Sequence, residues 1–378
     1  MKLLRLIINS GYKMLEKGFT IDFLTKTRVD KKVDNSDLIE LVDGFYYPIE
    51  TVFIGKNSSG KTTVIQLIST IINYLTKGRM KSSILTDEAE FSFETLFFEN
   101  GYIYKYNATL TKKESLNGDF LIIDAESLQR TLHKPSYKKD LSNVFFPKDS
   151  LIKPNIGSDT SDVKKYALGE MNIMVDSIQK SDAAMITLMQ VLSSLYGSDE
   201  VFNKILHLFD DSIEYIKPFV EEGEKKGLFY KRINKPERLT DYNYLSNVLS
   251  AGTMRGIYVF MASLIAFRIG GTILIDEFEK SFNKNLVQNL ILLFNDVSIN
   301  KANATLLYTT HYGELLDDND RVDNINVLHR NKDSITITNL CTGYDFKVEL
   351  LKSNYFNQNA FDNLLNYNNL MDLRRAIK

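Results

Sequence analysis

The sequence predicts an α/β fold with a mixed central sheet, a small antiparallel β lobe and a helical insertion. Three observations lead there. Thr51-Val52-Phe53-Ile54 is β-branched and aromatic, as a buried strand should be, and runs into Gly55-Lys56-Asn57-Ser58-Ser59-Gly60-Lys61-Thr62. An apolar run from Thr63 to Leu75, free of proline and glycine, follows and suits a buried helix. Thr272-Ile273-Leu274-Ile275 reads as a second buried strand, ending in Asp276-Glu277. Between these two units the pattern changes twice, first to period two and then to spacings of three and four.

Composition bounds the reading. The chain has 378 residues, enough for two or three lobes, and 44% of them are hydrophobic, so a sizeable core can form. A net charge of −2 gives no global argument for nucleic acid or a membrane surface. Cys341 is the single cysteine, which excludes an intramolecular disulfide and a thiolate metal cluster and fits a reducing cytoplasm. No stretch approaches the roughly 18 consecutive apolar residues that a spanning helix needs. The run Leu3 to Ile8 is too short for a signal peptide.

In chain order, Leu3 to Ile8 and Phe19 to Leu24 are strand candidates, and Thr25 to Asn35 is a polar, basic loop holding Lys26, Arg28, Lys31 and Lys32. Phe91, Phe93, Leu96 and Phe98, then Asn100-Gly101, then Tyr102, Tyr104 and Tyr106 give a hairpin signal. Asp119 to Asp124 is a further strand. Pro135, Pro147, Pro154 and Gly157 mark a long irregular connection. From Asp162 to Phe219 the spacing of Ile173, Met174, Ile178, Met185, Ile186, Met189, Leu192, Phe202, Ile205, Phe209, Ile213 and Ile216 predicts amphipathic helices. Glu221 to Gly227 is a charged turn, followed by a short β-like piece. The last third predicts a helix over Arg255–Arg268, the strand ending in Asp276, a helix over Lys284–Asn295, a strand from Ala304 to Thr309 before Thr310-His311, and strands over Asn324–Arg330 and Asp333–Asn339. Leu364, Leu365, Leu370 and Leu373 predict a docked C-terminal helix. The expected organisation is residues 1–130 as a first half-domain, 131–240 as a mainly helical insertion, 241–350 as a second half-domain and 351–378 as a helical tail.

Gly55–Thr62 matches G-x-x-x-x-G-K-[ST]. Two glycines let the backbone bend so that successive N–H groups converge on a triphosphate. Lys61 supplies a cation to the β and γ phosphates, the Thr62 hydroxyl can ligate Mg²⁺, and the following helix points its positive end at the phosphates. The nucleotide-binding candidates are therefore Gly55, Lys56, Asn57, Ser58, Ser59, Gly60, Lys61, Thr62 and Thr63. A plain Gly/Ser turn would not need strand, loop and helix in this order. Asp276, at a strand end beside the loop, would hold Mg²⁺ directly or through water, and Glu277 would polarise the attacking water. The alternative is a strand that simply ends in acidic turn residues. Leu249-Ser250-Ala251-Gly252-Thr253 precedes a helix. Ser250 is a natural helix cap, and with Gly252 and the helix N-terminus it also makes a γ-phosphate receptor. His311, just after a strand, is either structural or placed to sense the γ-phosphate or orient water. His133, His207 and His329 have no such context, and no metal-ligand spacing occurs.

The ordered set GKNSSGKTT, LSAGT, ILIDEFEKS and LLYTTH resembles the ABC-like ATPases. Within them it resembles the group that holds the SMC-type and OLD-type ATPases, and more closely the compact prokaryotic AAA family ATP-binding proteins of that group. The resemblance covers roughly residues 1–130 and 240–340. It implies an ABC-type P-loop NTPase fold, ATP and Mg²⁺ as cofactors, and ATP sandwiched between two subunits. Carried over by motif, Lys61 and Thr62 bind phosphate and Mg²⁺, Asp276 and Glu277 are the Walker B pair, and Ser250 and Gly252 reach the partner's ATP. His311 becomes the switch histidine, with Glu277, His311 and Lys61 catalytic. The resemblance further implies a cytoplasmic ATPase, dimeric or of higher order, that controls a nuclease or toxin encoded nearby in phage defence, with the insertion as its sensor or partner surface. Three departures stand out. Phe282-Asn283-Lys284 replaces the Leu-His-Pro of many relatives, Gln129 is the candidate for the Q-loop glutamine, and the insertion lacks the heptads of a long coiled coil.

Rival classes are a DNA-repair ATPase that clamps duplex DNA, for which Lys26 to Lys32 is the basic cluster, a P-loop GTPase or small-molecule kinase, and a nucleotide-dependent scaffold. Asn234-Lys235-Pro236-Glu237 faintly resembles a guanine motif, with glutamate in place of aspartate. That class gives LSAGT and His311 no role.

Overall fold

Strands too apolar to face water on either side must be covered on both, and this dictates the architecture. The computed structural model describes residues 1–10, 12–30, 35–42, 44–80, 88–114, 120–134, 141–169, 172–280, 284–317, 319, 321–344, 351–357, 371 and 374–377. The chain starts with β1 (Lys2–Ser10), β2 (Phe19–Asp22) and a hairpin of β3 (Leu38–Val42) and β4 (Phe45–Pro48). β5 (Glu50–Ile54) and α1 (Lys61–Lys77) flank the glycine-rich loop. Three long strands follow, β6 (Glu90–Glu99), β7 (Tyr102–Lys113) and β8 (Phe120–Leu132). Beyond an irregular connection come β9 (Asn172–Met174), α2 (Asp182–Tyr196), α3 (Glu200–His207), β10 (Ile213–Glu221), β11 (Glu224–Arg232) and β12 (Arg238–Thr240). The chain continues through α4 (Tyr242–Val248), α5 (Ala251–Ile269), β13 (Thr272–Ile275), α6 (Lys284–Asn295) and β14 (Thr305–Thr310). It then runs through β15 (Ile325–Arg330), β16 (Ile335–Asn339), α7 (Leu340–Gly343) and α8 (Lys352–Asn357).

The central sheet has six strands in the order β16-β15-β5-β14-β13-β9. All its pairings are parallel except β15 with β16, which makes it mixed. The register sets Ile275 beside Tyr308 and Thr310 beside Ile54, so the carboxyl ends of β13, β14 and β5 share one edge. In an open α/β sheet that edge is where a ligand binds. Helix α1 covers the sheet, and Val64, Ile65, Leu67, Ile68, Ile71 and Leu75 are fully buried, each contributing roughly 1.5–3 kcal/mol of burial.

The antiparallel lobe is a five-stranded sheet, β2-β1-β6-β7-β8, turned at Asn100 (φ 48°) and Gly101 (φ 81°) as the Asn-Gly signal predicts. It is tied to α1 by a buried chain of polar groups. The hydroxyls of Tyr74 and Tyr106 lie 3.1 Å apart, and Tyr106 donates to Glu126 at 2.8 Å. Glu126 also accepts from Ser161 and from the backbone N–H of Asn155 at 3.0 Å. Burial pushes both tyrosine hydroxyls well above their ordinary pKa, so they stay protonated donors.

The region 131–240 differs from the expected helical insertion. It holds α2 and α3, but Ile213, Ile216 and Phe219 lie in a strand, and β10-β11-β12 forms a separate three-stranded sheet. The reason is local. A register shift between Ile213 and Tyr215 inserts one residue into the strand, so the inward residues Ile213 and Ile216 stand three apart, a helical spacing inside a strand. Ile173 and Met174 belong to β9, an edge strand of the central sheet too short to show a period. The charged turn at Glu222 (φ 50°) and Gly223 (φ 82°) is a two-residue hairpin loop.

Helix α5, apolar along most of its length, is the core helix of the second half and is buried through most of its middle and end. Gly256 lets Phe209 approach it, since a Cβ there would stand 2.3 Å from the Phe209 ring. The Phe282-Asn283 departure and the helix expected around Leu364, Leu365, Leu370 and Leu373 lie outside the described residues.

Tyr106→Phe removes a donor from the buried Glu126 and a partner from the Tyr74 hydroxyl. Chemical denaturation is expected to show a loss of about 1–3 kcal/mol, the cost of unsatisfied buried polar groups; an unchanged unfolding midpoint would contradict the bridging role.

Candidate nucleotide site

The loop between β5 and α1 is shaped by positions that tolerate little else. A Cβ on Gly55 would lie 2.6 Å from the carbonyl oxygen of Leu328. Gly60 (φ 97°) turns left-handed against Ile335, and Ser58 (φ 64°) is left-handed as well. Helix α1 then begins at Lys61 with no side-chain cap and no acidic residue in its first turn, so its leading N–H groups face the loop. The Ser59 hydroxyl is buried with no hydrogen-bond partner. A glycine-shaped loop that leads into an uncapped helix N-terminus fits a phosphate chain, while Ser59 is buried behind the loop and does not line the cleft.

Lys61 is buried, and its amino group donates to the carbonyl oxygens of Gly55 at 2.7 Å and Lys56 at 2.9 Å. Burial lowers its pKa to about 8, while the carboxylates of Glu279, Asp276 and Glu277 push the other way. A triphosphate would relieve that penalty.

Strand β13 is buried along its whole length and delivers Asp276 to the loop. One Asp276 oxygen accepts from Thr62 at 2.6 Å and the other from Thr309 at 2.7 Å. The Thr309 hydroxyl also accepts the Glu277 N–H at 2.7 Å. Glu277 is left-handed (φ 48°), with its carboxylate 3.7 Å from His311 Nε2 and 3.2 Å from the Lys280 amino group. The hydrogen bond and charge of Lys280, with His311 beside it, hold the Glu277 carboxyl below the usual carboxylate range, so it is ionised at neutral pH. The backbone N–H of His311 is fixed by Glu279 at 2.7 Å. Among the described residues no group of three or more His, Cys, Asp or Glu could hold a metal. The Thr62 hydroxyl and the Asp276 carboxylate stand side by side at the loop, two oxygen donors of the hard kind that Mg²⁺ takes together with phosphate oxygens and water.

These residues surround a cleft of about 420 Å³. Of the residues singled out in sequence, Asn57, Ser58, Gly60, Lys61, Thr62, Thr63, Glu277 and His311 line it. Gly55 and Lys56 contribute the carbonyls that hold Lys61, and Asp276 stands behind Thr62. Four lining residues carry no sequence signal: Lys13, Met14, Arg330 and Ile335. They are brought in by pairing of the 13–16 segment with the start of β16, where Ile335 N–H donates to Met14 at 2.7 Å and Glu16 N–H to Ile335 at 3.1 Å. Arg330 clamps the loop by donating to the Ser58 carbonyl at 3.2 Å. Ser250 and Gly252 do not line the cleft. Ser250 caps α5, accepting the Thr253 N–H at 2.9 Å, and is exposed. Gln129 lies within β8 opposite Lys105, its amide donating to the Pro147 carbonyl, and is also outside the cleft.

Fold and loop together define a P-loop protein of the ABC-like and SMC-like kind. Residues 51–317 match the AAA_21 family, described as "AAA domain, putative AbiEii toxin, Type IV TA system", and the chain belongs to that family of AAA ATPases. No curated protein matches the chain in sequence. Among solved structures it is similar to an SMC head bound to the C-winged helix domain of ScpA, at 13% identity over 90% of this chain and 98% of that one, with a TM-score of 0.50. This likeness is one of fold. The SMC head domain from Thermotoga maritima matches at 13% identity over 90% and 99% of the two chains, with a TM-score of 0.42. A dimeric post-hydrolysis ATP-binding cassette bound to ADP and Pi matches at 10% identity over 89% and 98%, with a TM-score of 0.33.

The lowered pKa of Lys61 has a sign that can be checked. Below about 8 the amine is charged and ready for phosphate; above it the free protein must take up a proton to bind. Calorimetric titration with Mg-ATP is expected to show affinity falling as pH rises from 7 to 9, with proton uptake at pH 9. Lys61's contribution to folding stability runs the other way. Its folded pKa lies below the unfolded value, so stability rises with pH between about 8 and 10. Equal affinity at both pH values would contradict the burial effect.

Proposed function

We propose that this chain is a Mg²⁺-dependent ATPase that closes as a homodimer on ATP and thereby controls a partner effector in anti-phage defence. The observation that supports hydrolysis best is the convergence of Thr62, Asp276, Glu277 and His311 on one cleft. Lys61 and the loop N–H groups bind and orient the triphosphate. Mg²⁺, held by Thr62 and Asp276, would supply charge neutralisation on the phosphates. Glu277, ionised and aimed by its left-handed backbone, takes the proton of the attacking water, and His311 positions that water or the γ-phosphate. Charge neutralisation and orientation rather than covalent chemistry carry such a reaction.

The dimer rests on a different observation. The Leu249–Thr253 segment sits outside its own cleft with Ser250 exposed at the start of a 19-residue helix. A helix N-terminus of this kind binds anions, and the phosphates it can reach are those of a second copy. ATP then acts as differential glue, stabilising the closed pair until hydrolysis removes it. The family description, with its toxin and type IV TA system, supports the defence role and a nuclease or toxin as the effector. The α2, α3 and β10–β12 region is the surface offered to that partner, and a cytoplasmic setting fits the single cysteine.

A second reading, an SMC-like ATPase that holds DNA, is favoured by one feature. A groove of about 620 Å³ runs along α1, lined by Lys13, Lys77 and Arg79 with no carboxylate in its described lining. Arg79, however, already faces Asp159 at 3.7 Å, and Lys26 of the predicted basic cluster faces Asp22 at 3.7 Å. Lys31 and Lys32 lie outside the described residues. Duplex binding with a steep salt slope would favour this reading.

Glu277→Gln is expected to lower kcat by about 10²–10⁴-fold, as loss of a general base does, while ATP holds the dimer together. Light scattering after gel filtration checks this, and a monomeric variant in ATP would contradict the sandwich.

A further inference from the structure

Helix α5 presents the Leu249–Thr253 segment at its start and Arg255 little more than a turn further on. The Arg255 side chain is only 14% exposed and does not point to solvent. It crosses to the loop after β13, where its guanidinium donates to the carbonyl oxygens of Asp276, of Glu277 at 2.9 Å and of Lys280 at 2.5 Å. It also pairs with both oxygens of Asp176, at 3.0 and 3.2 Å. Asp176 in turn accepts the backbone N–H of Asp276 at 3.4 Å. One ion pair thus grips the backbone on both sides of Glu277.

Glu277 holds a left-handed backbone that costs a non-glycine residue energy and persists only when its surroundings enforce it. Guanidinium contacts to several carbonyls are directional and fix a loop in more than one dimension. Helix α5 is embedded in the core along most of its length, so its first turns move with the helix rather than fray. A displacement of the Leu249–Thr253 segment on meeting a phosphate therefore moves the loop that aims Glu277.

We propose that the Asp176–Arg255 pair is a positioning unit that couples the two nucleotide sites of the dimer. Engagement of Ser250 with the partner's ATP sets the aim of the chain's own Glu277, so the two sites hydrolyse in concert. The proposal rests on the dimeric reading above. Asp176 lies in the short turn between β9 and α2, and α2 is bound to α5 through the Tyr196 hydroxyl on the Leu264 carbonyl at 2.7 Å. The same unit is thereby open to a partner seated on the α2–α3 region.

Steady-state ATP hydrolysis by the full chain tests this, comparing wild type with Arg255→Gln and Asp176→Asn, alongside circular dichroism and equilibrium binding of a fluorescent ATP analogue to dilute protein. The wild type is expected to be cooperative in ATP. Arg255→Gln is expected to lower kcat by about ten- to a hundredfold, as misplacement of a reacting group does, and to bring the Hill coefficient to about 1 with analogue binding unchanged. Asp176→Asn keeps the carbonyl contacts and is expected to fall between the two; it decides the matter if Arg255→Gln does not fold. Folded variants with the wild-type kcat and Hill coefficient would overturn the coupling, as would a loss of kcat matched by an equal loss of analogue binding. A wild type that stays monomeric in ATP overturns the dimer reading itself, whereas a dimeric wild type with unaltered variants overturns the coupling alone.

Discussion

The Asp276 carboxylate joins three elements that are far apart in sequence. One oxygen takes the Thr62 hydroxyl from the start of α1, and the other takes the Thr309 hydroxyl near the end of β14, while its own backbone continues β13. Hydrogen bonds to an ionised acceptor are the strong ones, and here they lock the phosphate loop to the sheet edge. Thr309 passes the constraint on by accepting the Glu277 N–H, and its carbonyl accepts the Phe278 N–H at 2.9 Å.

The rest of the fold holds that edge still. The apolar face of α1 closes on the parallel sheet, and the Tyr74–Tyr106–Glu126–Ser161 chain closes its other side on the antiparallel lobe. The lobe also supplies Lys13 and Met14 to the cleft. A buried lysine is costly, and Lys61 shows that cost in its lowered pKa. The free protein meets part of it by turning the amine back onto its own loop carbonyls. Binding energy stored in this way favours a polyanion over any neutral ligand.

Much of the site was legible because its parts are local. Gly55–Thr62 and Asp276–Glu277 are short runs whose spacing follows from one bend and one strand end, and both stand where the motifs require. His311 was legible from its place after a strand, and the structure sets it 3.7 Å from Glu277. Lys13, Met14, Arg330 and Ile335 were not legible, since a tertiary pairing between distant segments brings them together and leaves no periodicity. Glu279 and Asp176 escaped for the same reason. The bulge after Ile213 gave a strand the spacing of a helix, and a local pattern cannot tell the two apart. Gln129, chosen by residue type alone, sits in mid-strand away from the cleft.

We propose that each nucleotide site is shared between two copies. Mixing two inactive variants tests it most directly. Lys61→Ala loses its own phosphate loop but keeps Ser250; Ser250→Arg blocks the segment offered to the partner but keeps Lys61, Asp276 and Glu277. A mixed dimer contains one complete site if the site is shared. ATP hydrolysis that neither variant shows alone is expected in the mixture, lowered about ten- to a hundredfold from wild type because the complete site belongs to the chain whose own Ser250 segment is blocked. A mixture as inactive as its components, with mixed dimers present, would contradict it.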